Sequence, residues 1–88
     1  MDFKQLESFI TIAKYNSFSK AARELYLTQP TLSNHIQNLE SELGILLFDR
    51  KGKTIELTDA GKTFKNHAVE IIKKRDSAVF TINDIIGK

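Results

Sequence analysis

Cysteine is absent from this 88-residue chain. That excludes a disulfide framework and thiolate chemistry, and it fits a cytoplasmic protein. No apolar run approaches the roughly 20 residues that a membrane span needs, so no membrane partner is expected. Met1-Asp2-Phe3-Lys4 is no charged-then-apolar leader, which points away from export. An excess of one sign of charge is missing as well. The net charge of +2 is too small to argue a nucleic-acid partner by itself, so its distribution must decide. A chain this short makes one domain at most, buries only about 60% of its unfolded surface, and gains from a partner subunit. The most informative absence is local. No acidic residue lies between Leu25 and Leu39, although the chain has 11 Asp and Glu in all.

What is present reads mainly as helix. Asp2 is a candidate N-cap, and Phe3, Leu6, Ile10 and Ala13 recur at helical spacing up to about Tyr15, where Asn16-Ser17 reads as a turn. A short second helix follows in "SFSKAAREL", capped by Ser17 or Ser19. Ala21 and Ala22 give it a face that admits a close neighbour, and Phe18 plugs the core. Thr28 caps a third helix of about residues 29–43, with Pro30 in its first turn and Gly44 at its end. Leu32, Ile36, Leu39 and Leu43 form its apolar stripe; Pro30, Asn34, Gln37 and Ser41 lie opposite, with Ser33 and Asn38 on the shoulders.

The period then changes. Leu47–Arg50 and Thr54–Leu57 read as two short strands joined by Lys51-Gly52-Lys53, a wing of about residues 49–54 with a basic tip. Thr58 caps a last helix, Asp59 sits in its first turn, and the pattern continues to about Ile86. Its apolar residues form two stripes, one through Phe64, Ala68, Ile71, Ala78, Ile82 and Ile85, the other through Val69, Ile72, Val79 and Ile86. One stripe suffices to pack on a single domain; two predict that the far half meets another helix.

Two helices joined by a tight turn, then a basic hairpin, make a winged helix-turn-helix: a three-helix core, a two-stranded wing and a long C-terminal linker or dimerisation helix. Residues 1–58 form the DNA-binding unit and residues 59–88 the dimerisation helix. The acid-free stretch then has a cause. Duplex DNA carries one negative charge per roughly 1.7 Å of its axis, so a carboxylate on the leading end of a groove helix is repelled. Ser, Thr, Asn and Gln read base edges without that penalty. The helix N-terminus at Thr28 adds a positive dipole end.

These residues carry a resemblance. Leu6, Phe9 and Ala13, "SFSKAARELYLTQPTLS", Ile36, "LESELG", "LLFDR" and "LTDAG" are similar to the N-terminal domain of LysR-type transcriptional regulators. The resemblance implies a bacterial, dimeric, sequence-specific DNA-binding domain without a cofactor of its own, and an isolated part of a longer regulator. It places Gln29, Pro30, Thr31, Ser33 and Asn34 at the DNA, with Gln37 as a further candidate. Arg50, Lys51 and Lys53 match the wing, on the minor groove or phosphates, and Ser19 is assigned a phosphate. The last helix pairs with its counterpart through Phe64, Ala68, Ile71, Ile72, Val79, Ile82 and Ile86. The partner is an operator of interrupted palindromic half-sites; dimer versus tetramer stays open. Asn34 departs from the basic residue frequent in the family.

Other patterns receive plainer readings. Lys73-Lys74-Arg75 is a solvated helix face, and Asp59 with Glu56 is helix-start electrostatics. His35 packs or holds phosphate. With His67 as the second histidine and no Cys, no metal site is expected. No catalytic constellation is present, so the chain is not read as an enzyme. The competing function is a winged-helix interaction module that does not bind DNA.

Overall fold

A computed structural model describes residues 1–52 and 54–87. The elements run α1 (Phe3–Tyr15), α2 (Phe18–Glu24), α3 (Gln29–Leu43), β1 (Phe48–Asp49), β2 (Glu56–Leu57) and α4 (Asp59–Ile86). Each helix starts where a short polar side chain accepts from an otherwise unpaired N–H. Asp2 accepts from Gln5 N at 2.8 Å while the Gln5 side chain accepts from Asp2 N at 3.1 Å, a reciprocal cap. Ser17, Thr28 and Thr58 accept from Lys20 N, Thr31 N and Gly61 N. Ser17 rather than Ser19 therefore caps α2. Asn16 at φ 52° ends α1, and Gly44 at φ 71° ends α3, each in the left-handed region that closes a helix.

The core gathers one face of every helix. Leu6, Phe9 and Ile12 meet Ala21 and Ala22 of α2 and Leu32, Ile36 and Leu39 of α3, with Leu47, Phe48 and Ala68 closing the other end. Phe9 is its centre: its ring lies 5.3 Å from both Phe48 and Phe64, tilted to one and edge-on to the other. Phe18 is buried and stands edge-on to Phe48 at 6.0 Å. The small side chains of Ala21 and Ala22 are what let α2 come close.

The strands are shorter than the sequence pattern suggests. Phe48 pairs with Leu57 and Asp49 with Glu56, antiparallel, and the ladder stops there. Asp49 opposite Glu56 is a like-charge pair, which disfavours extension. Ile55 leans on the core instead of continuing the strand. The base of the wing is fastened: Thr58 N donates to Leu47 O at 3.0 Å and Thr58 Oγ1 to Leu46 O at 2.7 Å. The start of α4 presses so closely on this segment that a Cβ at Gly61 would lie 2.1 Å from Leu47 O. Glycine is needed there for space.

Two halves of α4 behave differently. Ala68 is fully buried, Phe64 packs on Phe9, and Ile71 and Ile72 lean on the core. These four were expected on the pairing face; Ala68 has no surface left for a partner, whereas Phe64, Ile71 and Ile72 are half-buried and keep part of theirs. Past Arg75 the helix leaves the core. Val79 and Ile82 are each 54% exposed and Ile86 76%, and Phe80 and Ile85 are exposed with them. A 28-residue helix is about 42 Å long, which accounts for the 53 Å long axis of the molecule.

Candidate nucleic-acid interface

α3 is held by its apolar side and leaves its polar side free. Leu32, Ile36 and Leu39 are each 0% exposed. Gln29, Pro30, Thr31, Asn34 and Gln37 are exposed, and Ser33 is half-buried on the shoulder. Pro30 lies in the first turn, where its missing N–H has no partner to lose. Thr28 accepts from Thr31 N at 3.3 Å and its own hydroxyl donates to Thr31 Oγ1 at 2.9 Å. Thr31 is thus part of the cap as well as of the surface. No acidic residue occupies the first turn.

The wing stands on the same side as this face. Gln37 and Arg50 line one open groove of about 540 Å³, together with the carboxylates Glu40 and Asp49 and with Leu46, Phe48 and Thr58. Arg50 is not at a tip: its guanidinium sits 4.3 Å over the ring of Phe18, the first residue of α2. That stacking ties the wing to the helix-turn-helix and leaves the side chain exposed. Lys51 is exposed, and so is Ser19 in the first turn of α2. Gly52 takes φ 68°, as its place in the wing turn requires. Lys53 lies outside the described residues.

Three contacts escaped the sequence reading. Glu40, just past the acid-free stretch, accepts from Leu47 N at 2.7 Å and Phe48 N at 3.4 Å, joining α3 to the wing. His35 has a buried partner in Ser8, at 2.8 Å. Ser8 lies one turn before Ile12 on the edge of the α1 stripe, and that spacing was the available signal. Arg75 was read as part of a solvated run. Instead its guanidinium donates to Glu7 at 2.6 Å and to Asp76 at 3.0 Å and lies 5.0 Å over Phe3. Those hydrogen bonds, to Glu7 first and Asp76 second, hold its pKa above the ordinary arginine value. Lys73 and Lys74 are exposed, as a solvated face requires. The N-terminal amine pairs with Glu42 near the end of α3.

The family described as bacterial regulatory helix-turn-helix protein, lysR family, matches residues 3–62. The HTH-type transcriptional regulator CitR of Bacillus subtilis (strain 168) is 40% identical over 85 residues, which is 97% of this chain and 29% of CitR. BsdA of the same organism is 42% identical over 86 residues, 97% of this chain and 30% of BsdA. The chain thus spans less than a third of either relative. Among solved structures, a BenM DNA-binding domain in complex with catB site 1 DNA superposes with a TM-score of 0.96 at 35% identity, covering 100% of this chain and 99% of that one. Vibrio fischeri DarR in complex with DNA gives 0.92 at 39% identity, over 97% of this chain and 29% of DarR.

Proposed function

Because the chain belongs to the lysR family of bacterial regulatory helix-turn-helix proteins, we propose that it binds double-stranded DNA sequence-specifically, as the DNA-binding domain of a transcriptional regulator. One observation carries the reading. The exposed polar face of α3 and Arg50 of the wing open onto one side of the fold, sharing the groove between Gln37 and Arg50. A major groove about 12 Å wide admits a helix of this kind. In this reading the N-terminal half of α3 enters the groove, and Gln29, Pro30, Thr31, Ser33, Asn34 and Gln37 face the base edges.

Asn34 suits adenine, whose N6 and N7 an amide can bond in pairs. Arg50, Lys51, Lys53 and Ser19 hold phosphates or enter the minor groove beside the wing. Two copies pair through the free end of α4, where Val79, Ile82 and Ile86 leave one apolar edge in solvent. Two recognition helices then meet half-sites about 34 Å apart, or a multiple of it, on an interrupted palindrome. The domain needs no cofactor and no catalytic group for this role. No helix among the described residues is long and apolar enough to cross a membrane.

Fluorescence anisotropy with a labelled random duplex, at low and moderate salt, tests the reading. Binding that weakens steeply with salt is expected, since each neutralised phosphate releases counterions. An interaction module without DNA binding gives no salt-dependent signal. Selection of bound duplexes from a random pool then reports half-site sequence and spacing together.

A further inference from the structure

The reading above leaves one buried polar contact unused. Ser8 is 1% exposed and is the one buried polar side chain among the described residues. Its Oγ lies 2.8 Å from His35 Nδ1, which joins α1 to α3 across 27 residues. A hydroxyl withdrawn from water needs a partner, and here His35 is that partner. His35 follows Asn34 in the chain and stands one turn after Thr31. Thr31 and His35 line a cavity of about 310 Å³ with Lys4, Glu7 and Ser8 of α1. The contact therefore lies directly behind the residues that face the bases.

We propose that the Ser8–His35 bond fixes the rotation of α3 about its own axis, which makes His35 a positioning residue for base discrimination; this rests on the DNA-binding reading above. At this end of α3 the rest of the seat is the aliphatic row of Leu32, Ile36 and Leu39, and the other polar tie, Glu40 to Leu47 N, lies beyond it toward the C-terminal end. Aliphatic contact is non-directional and yields to small rotations. A hydrogen bond is not: it weakens steeply outside a narrow range of length and angle. A helix with its side chains has a radius of about 5–6 Å, so a 20° turn carries each tip by roughly 2 Å. That displacement is enough to part Asn34 from a base edge while phosphate contacts, made by long flexible side chains, re-form. The serine hydroxyl serves either tautomer, donating to a bare Nδ1 or accepting from a protonated one. The tie therefore does not depend on which ring nitrogen carries the proton.

The test uses the purified chain, a duplex enriched from a random pool by the wild type, and a scrambled duplex of equal length. Anisotropy gives the affinity ratio between the two, and thermal melts run beside it. Ser8→Ala and His35→Leu should each lower the ratio about threefold or more, and the double variant no further than either, as coupled residues do. Scrambled-duplex affinity should stay within about twofold, because phosphate contacts carry it. His35→Asn, whose amide stands at the place of Nδ1 and can still bond the Ser8 hydroxyl, should recover most of the ratio. A ratio left unchanged by Ser8→Ala or His35→Leu, with only the melting temperature lowered, overturns the inference: the bond then serves folding alone. Should Ser8→Ala prove too unstable to titrate, the His35 pair of variants decides the question by itself. A wild-type chain that binds neither duplex overturns the DNA reading and this inference together, whereas selective wild-type binding with indifferent variants overturns this inference alone.

Discussion

Replacing Glu40 with alanine removes, among the described residues, the side chain that hydrogen-bonds the recognition helix to the wing. Its carboxylate accepts from Leu47 N at 2.7 Å and, more weakly, from Phe48 N at 3.4 Å. Both residues are buried, at 0% and 4% exposure, so water does not take over the abandoned amides. A buried N–H left without an acceptor costs about 1–3 kcal/mol, and a bond to a charged group contributes about 1.5–3 kcal/mol. The short bond is worth the larger part and the long one a fraction, which gives about 2–4 kcal/mol for Glu40→Ala. A chain of this length has on the order of 4–13 kcal/mol of stability in total. The melting temperature should therefore fall by roughly 10–25 °C. Glu40→Gln keeps an acceptor and should lose only about 1 kcal/mol. Urea unfolding followed by circular dichroism reads both values. Below the melting point, Glu40→Ala should weaken binding to all duplexes alike, because the wing loosens while the base-facing residues stay. A loss below about 0.5 kcal/mol for Glu40→Ala would refute the reasoning, since the two amides must then have found other partners.

Four further outcomes are expected. Asn34→Ala should relax preference at one base position in each half-site, by about 1–3 kcal/mol, whereas Lys51→Ala should weaken binding to most sequences equally; in vitro selection with each variant separates the two. The logarithm of the binding constant should fall linearly with the logarithm of salt concentration, and each lost phosphate contact should reduce the slope by about 0.9, measurable by anisotropy across a salt series. Val79→Asp with Ile82→Asp should yield monomers in analytical ultracentrifugation without lowering the melting temperature of the core, because both side chains are more than half exposed. Gly61→Ala should destabilise by about 2 kcal/mol or more in urea unfolding, because its new methyl group meets the Leu47 carbonyl and one of the two backbones must move.

The helix boundaries were legible because each is written in local chemistry. Asp2, Ser17, Thr28 and Thr58 stand where the first free N–H groups need an acceptor, and Asn16 and Gly44 stand where the chain reverses hand. The exposed face of α3 was legible for the same reason: a single stripe of Leu32, Ile36 and Leu39 fixes which side is buried. What depended on distant partners was not legible. The sequence offers no sign that Arg75 would fold back on Glu7, 68 residues away, rather than join its lysine neighbours in solvent. Its raised pKa follows from that contact, and the guanidinium stays charged throughout any working range of pH. Nor does periodicity divide α4, because the stripe through Phe64, Ala68 and Ile71 runs on unbroken through Ala78, Ile82 and Ile85. Only the end of the core near Arg75 separates residues that pack inside the protomer from residues left exposed.

The two polar ties of α3 hold different parts of the helix. His35 and Glu40 are five residues apart, which sets them roughly 140° apart around the helix, on opposite flanks of the apolar stripe. His35 reaches back to α1 and Glu40 reaches forward to the wing. With only the first tie, α3 could pivot about His35 and swing its far end; with only the second, it could pivot about Glu40 and swing the end that faces DNA. The Thr28 cap stiffens the first turn of the helix itself. A helix fastened at both flanks holds Asn34 and Gln37 in one orientation, which is what the proposed base reading needs. Discrimination between bases requires that pre-organisation, because a side chain free to re-aim would bond whichever base it met.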